Sequence, residues 1–105
     1  MPTLYASKPI RVTLSGTGSV GGQRAKVINR TTGEVHPTAT AFSTDKQMSF
    51  DCADFASGYT AADVIEAQTS GPCYGNVLIT LSGSKAQTAT LTATQESTSL
   101  PAGGN

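Results

Sequence analysis

His36 is the single histidine of the 105-residue chain, so a triad built on a serine or cysteine nucleophile would have to use it as the base. It precedes Pro37 near a hairpin, and neither Cys52 nor Cys73 sits in a nucleophile motif. A lone, exposed histidine is the expectation, and no catalytic residue is assigned. The two cysteines lie 21 positions apart, too far for a CxxC pair, and one histidine cannot complete a four-ligand zinc site with them. Cys52 and Cys73 could close a disulfide whose loop-entropy contribution is on the order of 3 kcal/mol. They could equally be free thiols acting as small apolar groups, the state that a reducing compartment favours.

The acids are Glu34, Asp45, Asp51, Asp54, Asp63, Glu66 and Glu96, and the nearest approach to a cluster is Asp51 and Asp54 with Asp63. That spacing does not match the roughly twelve-residue calcium loop with its closing glutamate, and turn formation accounts for the same acids. No metal ligand and no cofactor are assigned. A glycosidase pair would want an aromatic-lined cleft, whereas the chain has three Tyr, three Phe and no Trp. Residues 15–22 contain four glycines and could be mistaken for a phosphate cradle. A Walker-type loop needs Gly-Lys-Ser/Thr opening a helix, and here residues 23–29 alternate like a strand instead.

The elements that would carry these residues are read from apolar alternation, the period of a strand with one buried face. Ile10, Val12 and Leu14 define a first strand, and residues 23–29 a second. The segment Asn29-Arg30-Thr31-Thr32-Gly33-Glu34 is a hairpin turn in which Gly33 can take a positive φ. Residues 35–42 are expected as a third strand, at an edge or with an irregular start because of Pro37. Met48, Phe50 and Cys52 mark a fourth. A fifth covers residues 60–68, where the β-branched Val64 and Ile65 and the Gly71-Pro72 stop outweigh helix propensity. Residues 77–81 and 85–94 form two more, joined as a hairpin across Ser82-Gly83-Ser84. The third and fourth strands, like the last two, are expected to be neighbours. The Thr-rich final strand is either a flat edge able to pair with another chain or, more commonly for such strands, an internal strand with its Thr face in water. About seven strands at this spacing, with no convincing helix, predict an all-β, two-sheet antiparallel sandwich.

Length fits one domain and excludes a large enzyme scaffold. Net charge is zero and only 13% of residues are charged, which gives no footprint for nucleic acid or an anionic membrane. Apolar residues make up 37%, enough for a modest core. No segment approaches the roughly twenty apolar residues that cross a bilayer, and the first residues lack the run that a signal peptide needs. With Met1 at the start, the expectation is a complete small gene product: an arm over 1–9, the sandwich over 10–95 and a flexible tail over 96–105.

The run from Arg24 through Asn29-Arg30-Thr31-Thr32-Gly33-Glu34 to Val35, then Ser43-Thr44-Asp45, Phe50-Asp51, and Phe55 to Gly58-Tyr59-Thr60-Ala61-Ala62-Asp63-Val64-Ile65, resembles the small immunoglobulin-like sandwiches carried on the virions of tailed bacteriophages. Bacterial Ig-like and carboxypeptidase-regulatory-like modules are related. Family members commonly show an N-x-T-T-G-E hairpin and a G-Y-x-x-G-D-x-I strand entry; here Ala62 stands where glycine is frequent. The resemblance covers roughly residues 10–94. It implies an immunoglobulin-like sandwich and a non-enzymatic virion protein, assembled in the host cytoplasm, that decorates or cements a capsid or displays a surface. The implied partners are the major capsid protein or another virion protein and further copies of itself, with a weak host-surface glycan contact as an extra. Residues 1–9 are the implied attachment segment. The alternative is a free-standing adhesion or carbohydrate-binding sandwich.

Overall fold

Alternating apolar side chains enter one interior from two sheets: Ile10, Val12 and Leu14 from one strand, Ala25 and Val27 from another, and Ile65 and Ala67 from a third. The computed structural model describes residues 2–15, 21–37, 41–70, 73–82, 87–92 and 94–95. Its strands are β1 (Thr3–Tyr5), β2 (Ile10–Ser15), β3 (Arg24–Asn29), β4 (Gln47–Phe50), β5 (Val64–Ser70), β6 (Cys73–Ser82), β7 (Thr88–Thr92) and β8 (Thr94–Gln95), with a 3-10 turn, Cys52–Asp54, after β4. The larger sheet has the order β1-β6-β5-β3, with β8 also paired to β6; the smaller has the order β4-β2-β7. The chain is thus an all-β, two-sheet sandwich.

The sheets are mixed where wholly antiparallel ones were expected: β1 runs parallel to β6, and β2 parallel to β7. Both terminal segments change sheets. The first passes from the larger sheet to the smaller between β1 and β2, and the last passes back between β7 and β8. Gln87 fastens the first crossing. Its Oε1 accepts from the Tyr5 N–H at 2.6 Å, and its Nε2 lies 3.0, 3.3 and 3.1 Å from the carbonyl oxygens of Tyr5, Lys8 and Pro9. With Leu4 and Ala6 buried, the segment expected as an attachment arm is built into the sandwich.

Among the described residues, 35–37 and 41–42 carry isolated bridges in place of the expected third strand. Val35 bridges Ile28 and Ala41 bridges Arg24, so both bridges run to β3 and not to β4. Pro37 has no N–H to give to a ladder, which interrupts regular pairing at this edge; residues 38–40 lie outside the described residues. Nor do the last two long strands form a hairpin. β6 pairs with β5 while β7 pairs with β2, so the two strands belong to different sheets; residues 83–86 lie outside the described residues. β7 stands at the end of its sheet, an edge and not an internal strand among the described residues, with Thr88 and Thr90 facing water as expected. Periodicity cannot distinguish these cases, because a strand buries the same alternate residues whichever neighbour it has.

Gly33 has φ +83°, the positive value its turn requires. Ala62 has φ 73° without being glycine. For an L-residue the left-handed region costs roughly 1–2 kcal/mol, offset in part by the greater unfolded-state entropy of glycine. Ala62→Gly is therefore expected to raise stability by about 0.5–1 kcal/mol, visible as a higher urea midpoint at unchanged slope; a lower midpoint would show that the turn relies on the Ala62 methyl.

Candidate functional site

Two segments singled out by their sequence meet in space, the 29–34 turn and the 55–65 strand entry. Asn29 closes β3 with its side chain fully buried. Its Nδ2 donates to Asp63 Oδ2 at 3.0 Å, and its Oδ1 accepts from the N–H groups of Thr31 and Thr32 at 3.0 and 3.3 Å. Asp63 also accepts from the Thr60 N–H at 3.0 Å and from the Thr60 hydroxyl at 2.7 Å. Thr31 Oγ1 accepts from the Val64 N–H, and the Arg30 N–H donates to the Val64 carbonyl, so the turn is stitched to the start of β5. Burial pushes the Asp63 carboxyl up, but the donors on Asn29 and Thr60 outweigh it and hold the group below its ordinary range.

Glu34 ends the same turn and reaches 22 residues along the chain to the Ala56 N–H and 23 to the Ser57 N–H, the latter at 2.8 Å. Chiefly the Ser57 amide, against an upward push from burial and with further help from Ala56, holds the Glu34 carboxyl below its ordinary value. One carboxylate thus fixes the turn that follows the 3-10 segment. Its two oxygens are occupied by backbone donors, so its role here is to fasten chain to chain.

His36 is not exposed, as the sequence led one to expect, but buried at 3%. Its ring meets Phe50 and Phe55 edge-on, with centroids 5.5 and 4.9 Å away. Nε2 lies 2.8 Å from the Asp51 carbonyl oxygen, which can only accept, so this nitrogen carries the proton. The alternation around Pro37 is irregular, and the inward turn of His36 therefore left no periodic signal.

Cys52 is a free thiol in the core, with 0% of its surface exposed. Burial, with Asp51 and Asp63 adding to it, pushes the thiol up to about 11, leaving almost no thiolate at neutral pH. Cys73 opens β6, and its side chain lies outside the described part. Asp51 and Asp54 are exposed and do not gather around Asp63 into a ligand set. Among the described residues no group of three or more His, Cys, Asp or Glu side chains could hold a metal ion. Every buried side-chain nitrogen or oxygen among them has a hydrogen-bond partner.

What the fold leaves outward is a face of the larger sheet. Ala25, Val27, Ile65, Ala67 and Ile79 point into the core, so Arg24, Lys26, Ile28, Glu66, Gln68 and Leu78 lie on the other side of the sheet, where Ile28, Glu66 and Gln68 are buried and Arg24, Lys26 and Leu78 exposed. Cross-strand register puts Val35, Ile28, Glu66 and Leu78 in one row across four neighbouring segments. Val35 and Leu78 are 49% and 39% exposed, the exposed large hydrophobic residues among those described. Glu66 lies beneath Arg30 at 3.6 Å and accepts from Asn76 Nδ2. No periodic pattern marks this row, because Ile28 and Val35 are joined by an isolated bridge. Compared with protein-family models, with curated proteins and with solved structures, the chain has no match in any of the three.

Proposed function

We propose that this chain is a non-enzymatic binding module, a capsid-decoration or surface-display sandwich of a tailed-phage virion. One observation carries the choice of binding over catalysis. Among the described residues, four side chains that could do chemistry hold the fold instead: Asp63 with Asn29 and Thr60, Glu34 with two backbone amides, His36 between two rings and Cys52 in the core. The outward sheet face, by contrast, exposes the cations Arg24 and Lys26 and the apolar Val35 and Leu78. The phage setting comes from the sequence resemblance, whose two characteristic segments are the ones the structure stitches together. On this reading the partners are the major capsid protein or another virion protein, many copies act together, and assembly takes place in the host cytoplasm.

A free-standing glycan-binding module is favoured by a different surface. The outer face of the smaller sheet carries Arg11, Thr13, Gln47, Ser49, Thr88 and Thr90, a flat array of hydroxyl and amide groups. Particles purified from a phage lacking the gene separate the two readings. Added chain should rebind them saturably and raise their resistance to heat. Absence of rebinding, together with saturable binding to cell-surface glycans, would replace the virion reading with the glycan one.

A further inference from the structure

The outward face of the larger sheet has a charge that the whole chain lacks. The protein is formally neutral. Yet Arg24, Lys26 and Arg30 fall at alternate positions along and just beyond β3, on the side opposite the core residues Ala25 and Val27. Arg24 and Lys26 are exposed. Within this face the acid is Glu66, and it is taken by Arg30 and Asn76. Among the described residues neither Arg24 nor Lys26 is in an ion pair. Beside this basic edge runs the row from Val35 to Leu78, whose exposed ends are separated by the buried Ile28 and Glu66 and lie three strand spacings, or about 15 Å, apart. The edge from Arg24 to Arg30 is about 20 Å long at the usual rise of a strand.

From this we propose that the face formed by β3, β5 and β6 docks an acidic protein surface bearing apolar side chains. Carboxylates would meet Arg24 and Lys26, while apolar groups would cover Val35 and Leu78. A second copy of this chain is a poor occupant, because two such faces would bring like charges together. A sulfated or carboxylated glycan would satisfy the cations but gain little from Val35 and Leu78. The patch is small beside the roughly 800 Å² per partner of a standard interface, so one contact binds weakly and many copies on a lattice supply the avidity.

The inference rests on the binding reading above but is tested separately from it. The first measurement maps backbone amide shifts of the labelled chain on adding a soluble glutamate–tyrosine copolymer, which has carboxylates and apolar rings. Shifts should centre on residues 24–30, 64–68 and 76–80, and binding should weaken as salt rises. The double variant Arg24→Glu/Lys26→Glu should lose at least about tenfold in affinity, and Leu78→Ser should weaken it severalfold. Thr88→Glu/Thr90→Glu, on the other sheet, should leave it unchanged. If charge reversal disturbs folding, Arg24→Gln/Lys26→Gln reads the same contact. Shifts centred on the smaller sheet, or no loss on charge reversal, would overturn the proposal. So would heparin binding that matches the copolymer and ignores Leu78→Ser, since it would assign the face to glycans. The same variants on gene-deleted particles keep the two ideas apart. Rebinding by wild type and by the charge-reversed chain alike would remove this face and leave the virion reading standing. No rebinding by wild type, with the copolymer map intact, would remove the virion reading alone.

Discussion

Replacing Asn29 with alanine is expected to destabilise the protein by about 3 kcal/mol, a large share of what a domain of this size has. Asn29 is fully buried and joins three partners: the Asp63 carboxylate and the N–H groups of Thr31 and Thr32. Truncation leaves a buried carboxylate short of a donor and two turn amides without their acceptor. The cost comes mainly from those stranded groups and less from the lost bonds themselves. Urea denaturation should show a lower midpoint at unchanged slope, with a thermal midpoint lower by about 10–20 °C. A change below about 0.5 kcal/mol would mean that water replaces the side chain freely and that the network is not a structural tie.

The same network fixes a pH dependence. Asp63 and Glu34 are both held below their ordinary values in the folded chain. A carboxyl with a lowered folded value binds its proton more readily once unfolded, so its contribution is present above the unfolded value, near 4, and is lost as pH falls towards the folded one. Wild-type stability should therefore decline below about pH 5, and the decline should be shallower in Asn29→Ala, where Asp63 has lost a donor.

Phe42→Ala is the second large effect, expected at about 3–5 kcal/mol. Phe42 is 1% exposed and belongs to the core although it lies in no strand. Its N–H donates to the Gln23 carbonyl at 2.8 Å, and its carbonyl accepts from the Gly22 N–H at 2.7 Å, so the backbone sets the ring at the entrance to β3. Gly21 supports this approach: a Cβ there would come within 2.6 Å of the Ser43 carbonyl oxygen. Deleting the ring should leave a cavity between the sheets that the backbone, held on both sides, cannot collapse to fill. Leu78→Ala, at an exposed position, should cost far less, and equal losses at the two sites would contradict this account of the core.

The strands with clean alternation were legible from the residues alone, as β2, β3, β4 and the central parts of β5 and β6 show. Their neighbours were not, because inward alternation is the same beside any partner, and β7 could only be assigned to β2 once the sheets were seen. The start of β6 was hidden by Gly75 next to the Gly71-Pro72 stop, which reads as a turn. The 29–34 hairpin and the 58–65 strand entry stood out, but not their junction, since Asn29 meets Asp63 across 34 residues. Ala62 is the telling case. An alanine gives no sign of a left-handed backbone, yet Ala62 has φ 73°, a value that glycine adopts more readily. Gln87 and the Val35–Leu78 row were invisible for a common reason: each depends on contacts between segments far apart in the chain.

The most direct test of the proposed virion reading is the copy number of this chain in purified virions of a phage whose genome carries its gene, by quantitative mass spectrometry against the major capsid protein. Virion attachment predicts a fixed, reproducible stoichiometry, near that of the capsid protein for lattice decoration and a few copies per particle for a tail or vertex. Complete absence from particles would contradict the virion assignment and bring the free-standing adhesion module forward.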